Sequence, residues 1–203
     1  MRDKLPCVLL LALIFAAPAS AQQNTSQYTS VATKTCKKFD STKVAGDEIA
    51  NAFECRGLSG YSVVVGEDDL RTVVSIGVNR ENAKDQLSLS QTFNPFNSVH
   101  DTLEWRIDGK TKKPFATIQR WYIADDADLD KDSRPRTVQL LVVTRTPPGR
   151  SCHVAYIDVR ANENPNLLAQ QAADDLAQKF DCTKDKVHFI GNKGRAAELA
   201  ARK

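Results

Sequence analysis

Residues 151–182 read SCHVAYIDVRANENPNLLAQQAADDLAQKFDC, which divides into a strand from Val154 to Val159, a turn, a helix and a closing cysteine. Pro165 directly after Asn164 suits a helix start, because the asparagine can cap and the proline lacks an amide that the first turn would leave unpaired. Leu168, Ala172, Leu176 and Phe180 then recur every fourth residue, with Ala169, Ala173 and Ala177 beside them, so one stripe of the helix is apolar. Such a stripe has to be buried, and the expected cover is the face of a sheet. Cys182, just past the helix, is placed to clip it to the strand that carries Cys152.

The chain before this stretch supplies the sheet. Tyr61, Val63 and Val65 followed by Gly66-Glu67-Asp68-Asp69 and the β-branched run from Arg71 to Val78 predict an antiparallel hairpin. Leu87, Leu89 and Phe93 alternate with polar residues and predict a half-buried strand, closed by the turn Asn94-Pro95-Phe96-Asn97. Leu103, Trp105 and Ile107 alternate with charged residues, and Asp108-Gly109 turns the chain into a strand from Pro114 to Ala124. The two tryptophans, Trp105 and Trp121, are expected in the core. Asp125 to Pro135 reads as a polar, acidic loop. Thr137 to Thr144, TVQLLVVT, is apolar on both faces and is expected to be central or covered by a helix. Short connections throughout favour an antiparallel meander of about seven strands over βαβ units. Beyond the helix, Val187 to Ile190 suggests a short edge strand, and Gly194 to Lys203 a fraying terminal turn.

The amino terminus carries a secretory signal pattern: Arg2 and Lys4, ten apolar residues from Val8 to Ala17, then Ala19-Ser20-Ala21 with cleavage after Ala21. A membrane span needs about 20 apolar residues, so no anchor is expected once the signal is removed. The domain division is therefore 1–21 signal peptide, 22–34 loose polar leader and 35–203 one globular domain. Without Arg2, Lys4 and Asp3, 26 basic residues face 24 acidic ones, a balance that selects no partner by charge. Asn24-Thr25-Ser26 fits a glycosylation acceptor, relevant only in a eukaryotic secretory route.

Four cysteines outlast the signal: Cys36, Cys55, Cys152 and Cys182. An exported context favours disulfides, and four cysteines allow three pairings. Cys36 with Cys55 and Cys152 with Cys182 is preferred, since each pair then lies in one local segment. Cys7 departs with the signal.

The acidic run offers Asp128, Asp130 and Asp132 at alternate positions, the spacing of a calcium loop. Counted from Asp128, however, the sixth position is Ser133 rather than glycine and the twelfth is Gln139 rather than glutamate. His100, His153 and His188 are scattered. Glu67, Asp68 and Asp69 are adjacent in a turn, not arranged on two sides of a substrate. No Gly-x-Ser-x-Gly supports a hydrolase serine, and Gly57, Gly60 and Gly66 precede neither a helix nor a lysine-serine pair. Lys110, Lys112, Lys113, Arg134 and Arg136 alternate with acids, so nucleic-acid binding is not expected. No catalytic residue and no cofactor is assigned.

Cys55-Arg56-Gly57-Leu58-Ser59-Gly60-Tyr61-Ser62-Val63, Glu67-Asp68-Asp69-Leu70-Arg71 and Glu104-Trp105-Arg106 together resemble a group of uncharacterised exported proteins of alphaproteobacteria. The resemblance implies a periplasmic or secreted, disulfide-bonded domain and no activity. The reading is thus an α+β domain, a meander with one C-terminal amphipathic helix on the sheet and two disulfides. Its expected role leans away from an enzyme, toward a non-catalytic domain binding a protein partner or a cell-envelope component. The alternatives are an envelope-polymer hydrolase using paired carboxylates and a calcium-stabilised structural domain.

Overall fold

A computed structural model describes residues 22–40, 43–44, 47–49 and 51–202; the expected signal peptide, its cleavage point after Ala21 and Cys7 lie outside the described residues. The chain is mostly β with few helices. In order it forms β1 (Thr25–Ser30), β2 (Lys37–Phe39), β3 (Lys43–Val44), β4 (Asp47–Glu48), β5 (Asn51–Arg56), β6 (Ser62–Asp68), β7 (Arg71–Gly77) and α1 (Arg80–Lys84). Then come β8 (Asn97–Ile107), β9 (Pro114–Leu129), β10 (Pro135–Arg145), β11 (His153–Asp158), α2 (Pro165–Ala172), β12 (His188–Phe189) and α3 (Arg195–Ala200).

The single seven-strand meander is corrected to two stacked sheets. Six strands form one sheet in the order β1-β8-β9-β10-β11-β12, and four form the second in the order β2-β5-β6-β7. Alternation along a strand says which side chains are buried but not against which partner. Here residues 78–96 carry the chain from the second sheet to the first. The larger sheet is mixed, because β12 pairs parallel to β11.

The central strand explains its own sequence. β10 lies between β9 and β11, as its two apolar faces require. Leu140 and Val142 join Trp105, Trp121, Val63 and Ile76 between the sheets. Leu141 and Val143 face the other way, toward Ala169, Ala172, Ala173 and Ala177 of α2 and the π-helical turn, Ala173–Ala177, that continues it. Alanines at the contact let the helix lie close to the sheet, while Leu168 and Leu176 only flank it. Both tryptophans are buried in the core as expected. A further small cluster, Val64, Ala52, Ala83 and Leu89, packs α1 on the outer face of the smaller sheet.

Three segments differ from expectation for identifiable reasons. The leader is not loose: β1 pairs antiparallel with β8 from Thr25↔Ile107 to Ser30↔Thr102. A strand held by its backbone ladder and by Trp105 Nε1 donating to Thr29 Oγ1 at 2.8 Å needs no apolar pattern. Leu87 to Phe93 is no strand; Asn79 caps α1, accepting from Asn82 N at 2.8 Å, and a 3-10 turn follows at Leu87–Ser90. Its serine is not wet, since Ser88 Oγ lies 2.9 Å from Ser75 Oγ and donates to Ser151 Oγ at 3.2 Å. In place of a fraying turn, residues 195–200 form a packed helix: α3 buries Ala196, Ala197 and Leu199. Arg195 forks onto Asp125 at 2.6 and 2.7 Å, and Ala197 N donates to Asp158 Oδ2 at 3.1 Å.

Two covalent clips complete the fold. Cys36–Cys55 and Cys152–Cys182 form, the pairing preferred from the sequence. The second ties the segment after the π-helical turn beside β11. An ion pair holds that turn itself: Arg106, 6% exposed, forks onto Asp174 at 3.0 and 2.6 Å and donates to Ser26 Oγ at 2.7 Å.

Candidate functional site

The β6–β7 hairpin turns through two residues. Asp68 pairs with Arg71, leaving Asp69 and Leu70 as the loop, with φ of 44° and 59°. Both angles positive define a type I′ turn, which favours asparagine followed by glycine. The turn, Asp68 to Arg71, lies two residues beyond the Gly66-Glu67-Asp68-Asp69 read from sequence. Gly66 sits inside β6, where a Cβ would fall 2.8 Å from an Ile49 methyl. Leucine in the left-handed region costs about 1–2 kcal/mol, yet Leu70 buries little in return, being 71% exposed.

Asn97 fixes the hairpin against the larger sheet. Its backbone N–H donates to Leu70 O at 2.9 Å, its Oδ1 accepts from Thr72 N at 3.1 Å, and its Nδ2 donates to Phe93 O and Pro95 O at 3.0 and 2.9 Å. A buried amide satisfied at every atom is a rigid strut. Arg71 adds a brace: Nε donates to Asn94 O at 2.8 Å, Nη1 meets Asp69 Oδ2 at 2.7 Å, and the guanidinium lies 5.3 Å from the Phe96 ring centre.

Between hairpin and sheet lies a groove of about 500 Å³. Leu70, Phe96, Tyr122 and Ala124 give it an apolar lining, with Phe96 43% exposed. Its carboxylates, Glu67, Asp68 and Asp69, are consecutive, at the end of β6 and the start of its turn, and make up an acidic lip. Asp69 is paired with Arg71; Glu67 and Asp68 form no ion pair among the described residues. The rest of the lining, which includes Phe96, Asn97, Ser98, Tyr122, Ala124 and Thr137, carries no carboxylate. Two acids flanking a bond from opposite sides, as glycoside hydrolysis needs, are therefore not found in this groove. What the arrangement can do is receive an apolar side chain with a cation beside it.

The other sequence candidates are placed apart from the groove's lining. The expected acidic loop is mostly strand, because β9 runs to Leu129 and β10 starts at Pro135. Asp130 Oδ1 accepts from Asp132 N and Arg134 N at 2.8 and 2.9 Å, so it caps the turn, and Asp128 faces Arg136 at 3.5 Å. Among the described residues no three His, Cys, Asp or Glu side chains gather as a metal site. The histidines are not brought together as a group. His100 Nδ1 accepts from Thr102 N at 3.0 Å, His188 packs against Phe180, and His153 is buried with Nδ1 2.9 Å from Tyr156 Oη. Burial holds the His153 imidazole neutral, its pKa pushed down to about 3, and raises that of the Tyr156 phenol. The sequence does not single out Leu70, Phe96, Asn97 and Tyr122 as site residues; the signal that could find Leu70 is a hairpin turn without glycine.

As a class, this is a two-sheet, mostly β domain with two disulfides and a groove at one hairpin tip. Comparison with protein-family models, curated proteins and solved structures returned no match.

Proposed function

We propose that the protein is an extracytoplasmic binding domain, non-catalytic in itself, that takes a segment of a partner protein into the groove beside Leu70 and Phe96. The observation that carries this reading is Leu70: an exposed leucine held at a backbone angle that favours glycine, on a rigid mount. Where a local rule is broken without gain in packing, binding is the usual beneficiary. The acidic lip selects a partner that presents a lysine or arginine next to an apolar residue. Two disulfides and the signal pattern support an oxidising compartment, and the resemblance to exported alphaproteobacterial proteins favours the periplasm. Of the resembling motifs, residues 67–71 form the acidic lip and the turn.

The test is photo-crosslinking in cells that export the protein, with the reactive residue at Ser98 in the groove or at Leu167 on the exposed side of α2. A discrete partner trapped only from position 98, and lost on Phe96→Asp, is expected. Identical products from both positions, or products indifferent to Phe96→Asp, would overturn the reading.

A further inference from the structure

The far end of the same hairpin has the opposite charge. β6 is seven residues long, so its Ser62 end lies about 20 Å from the groove. There the chain enters through Gly57–Tyr61, packed so tightly that a Cβ on Gly57 would meet the Trp105 ring at 2.9 Å and Tyr61 O at 2.7 Å. Tyr61 Oη donates to Pro147 O at 2.9 Å, which fixes the loop to the β10–β11 connection. Two cavities flank this loop, about 700 Å³ on the side of Lys37 and Arg56 and about 350 Å³ on the side of Lys112 and Lys113. Both are walled by Ser59, Gly60 and Tyr61.

The acids nearby are already hydrogen-bonded, Glu54 by Ser62 within the lining of the larger cavity. Glu54, the one carboxylate among the lining residues, accepts from Ser62 Oγ at 2.8 Å and lies 3.6 Å from Arg80. Asp108 Oδ1 accepts from the backbone N–H groups of Lys110 and Thr111, at 3.1 and 2.6 Å, and its Oδ2 accepts from Gln178 Nε2. Lys37, Arg56, Lys112 and Lys113 form no ion pair among the described residues. Four cations around one rigid loop, with a tyrosine edge and the exposed Val78 beside it, create a field that attracts anions.

We infer that this basic end binds a phosphate-bearing anion at the Gly57–Tyr61 loop, with Lys37 and Arg56 on one flank and Lys112 and Lys113 on the other. Arginine supplies bidentate donors for phosphate and the lysines supply point charges. The sources compatible with that chemistry are a soluble phosphate compound and the phosphate headgroups of an anionic bilayer. With the groove at the other end, the domain would hold an anionic envelope constituent and a protein segment about 20 Å apart.

The experiment uses the disulfide-bonded protein with two probes: inorganic pyrophosphate by calorimetry, and vesicles of phosphatidylglycerol against phosphatidylcholine by co-sedimentation. Binding of either anionic probe, weakened by salt and reduced roughly tenfold or more by Arg56→Gln with Lys113→Gln, is expected. Pyrophosphate binding identifies a discrete phosphate site; vesicle binding alone identifies headgroups on a surface. Lys113→Arg should retain affinity, which separates loss of charge from loss of fold. Failure of both probes, or equal binding by the charge-deleted variant, overturns the inference. Crosslinking from Ser98 should survive the same substitutions, so the two sites fail independently.

Discussion

Replacing Leu70 with glycine is expected to stabilise the protein while emptying its groove of the side chain that partners would touch. The left-handed angle of 59° at Leu70 costs a non-glycine residue about 1–2 kcal/mol. Glycine gives back part of that gain, about 0.5–1 kcal/mol, through the extra freedom of the unfolded chain. Because the side chain is 71% exposed, little buried apolar area is lost. The net expectation is about 0.5–1 kcal/mol of added stability, or roughly 1–4 °C in Tm for a chain of this size. Thermal melts followed by circular dichroism measure the first half, and crosslinking from Ser98 the second. A fall in Tm of more than a degree would show that Leu70 is held by packing, and unchanged crosslinking would remove it from the binding surface. Either result would defeat the argument from strain.

Removing the Asp174 carboxylate with Asp174→Ala leaves the buried Arg106 guanidinium without its counter-charge, and urea unfolding should show a loss of about 3 kcal/mol. The double change Arg106→Leu with Asp174→Leu should recover most of it. His153 gives a pH dependence: its folded pKa, about 3, lies below the unfolded value, so the unfolded state binds the extra proton between the two. Stability is then full above pH ~6.5 and declines by up to about 1.4 kcal/mol per pH unit below it. A His153→Asn variant should flatten urea midpoints between pH 6.5 and 4.5. Asp125, lowered chiefly by its hydrogen bonds from Arg195, loses its contribution only as pH falls through that depressed pKa, below the ordinary carboxylate range. Cutting the Cys152–Cys182 clip, with both residues changed to alanine, opens a loop of 30 residues and should cost about 3–4 kcal/mol in the chain-entropy treatment. Hydrogen exchange should then accelerate first at Lys179 to Phe180.

The local chemistry of this chain was legible in its sequence wherever one residue's neighbours decide its state. The helix after Asn164, the β8–β9 hairpin at Asp108-Gly109, the central position of β10 and the local pairing of the cysteines all follow from periodicity, turn chemistry and proximity along the chain. Tertiary structure decided the rest, because the determining contacts cross long stretches of sequence. β1 is polar and becomes a strand only because β8 offers an open edge about 80 residues away. Arg195 and Asp125 turn an alanine-rich terminus into a packed helix from 70 positions apart. The same holds for the groove. Alternation predicts the β6–β7 hairpin, but only the stacking of two sheets sets its Leu70 tip against Phe96 and Tyr122, where Asn97 and Arg71 hold it.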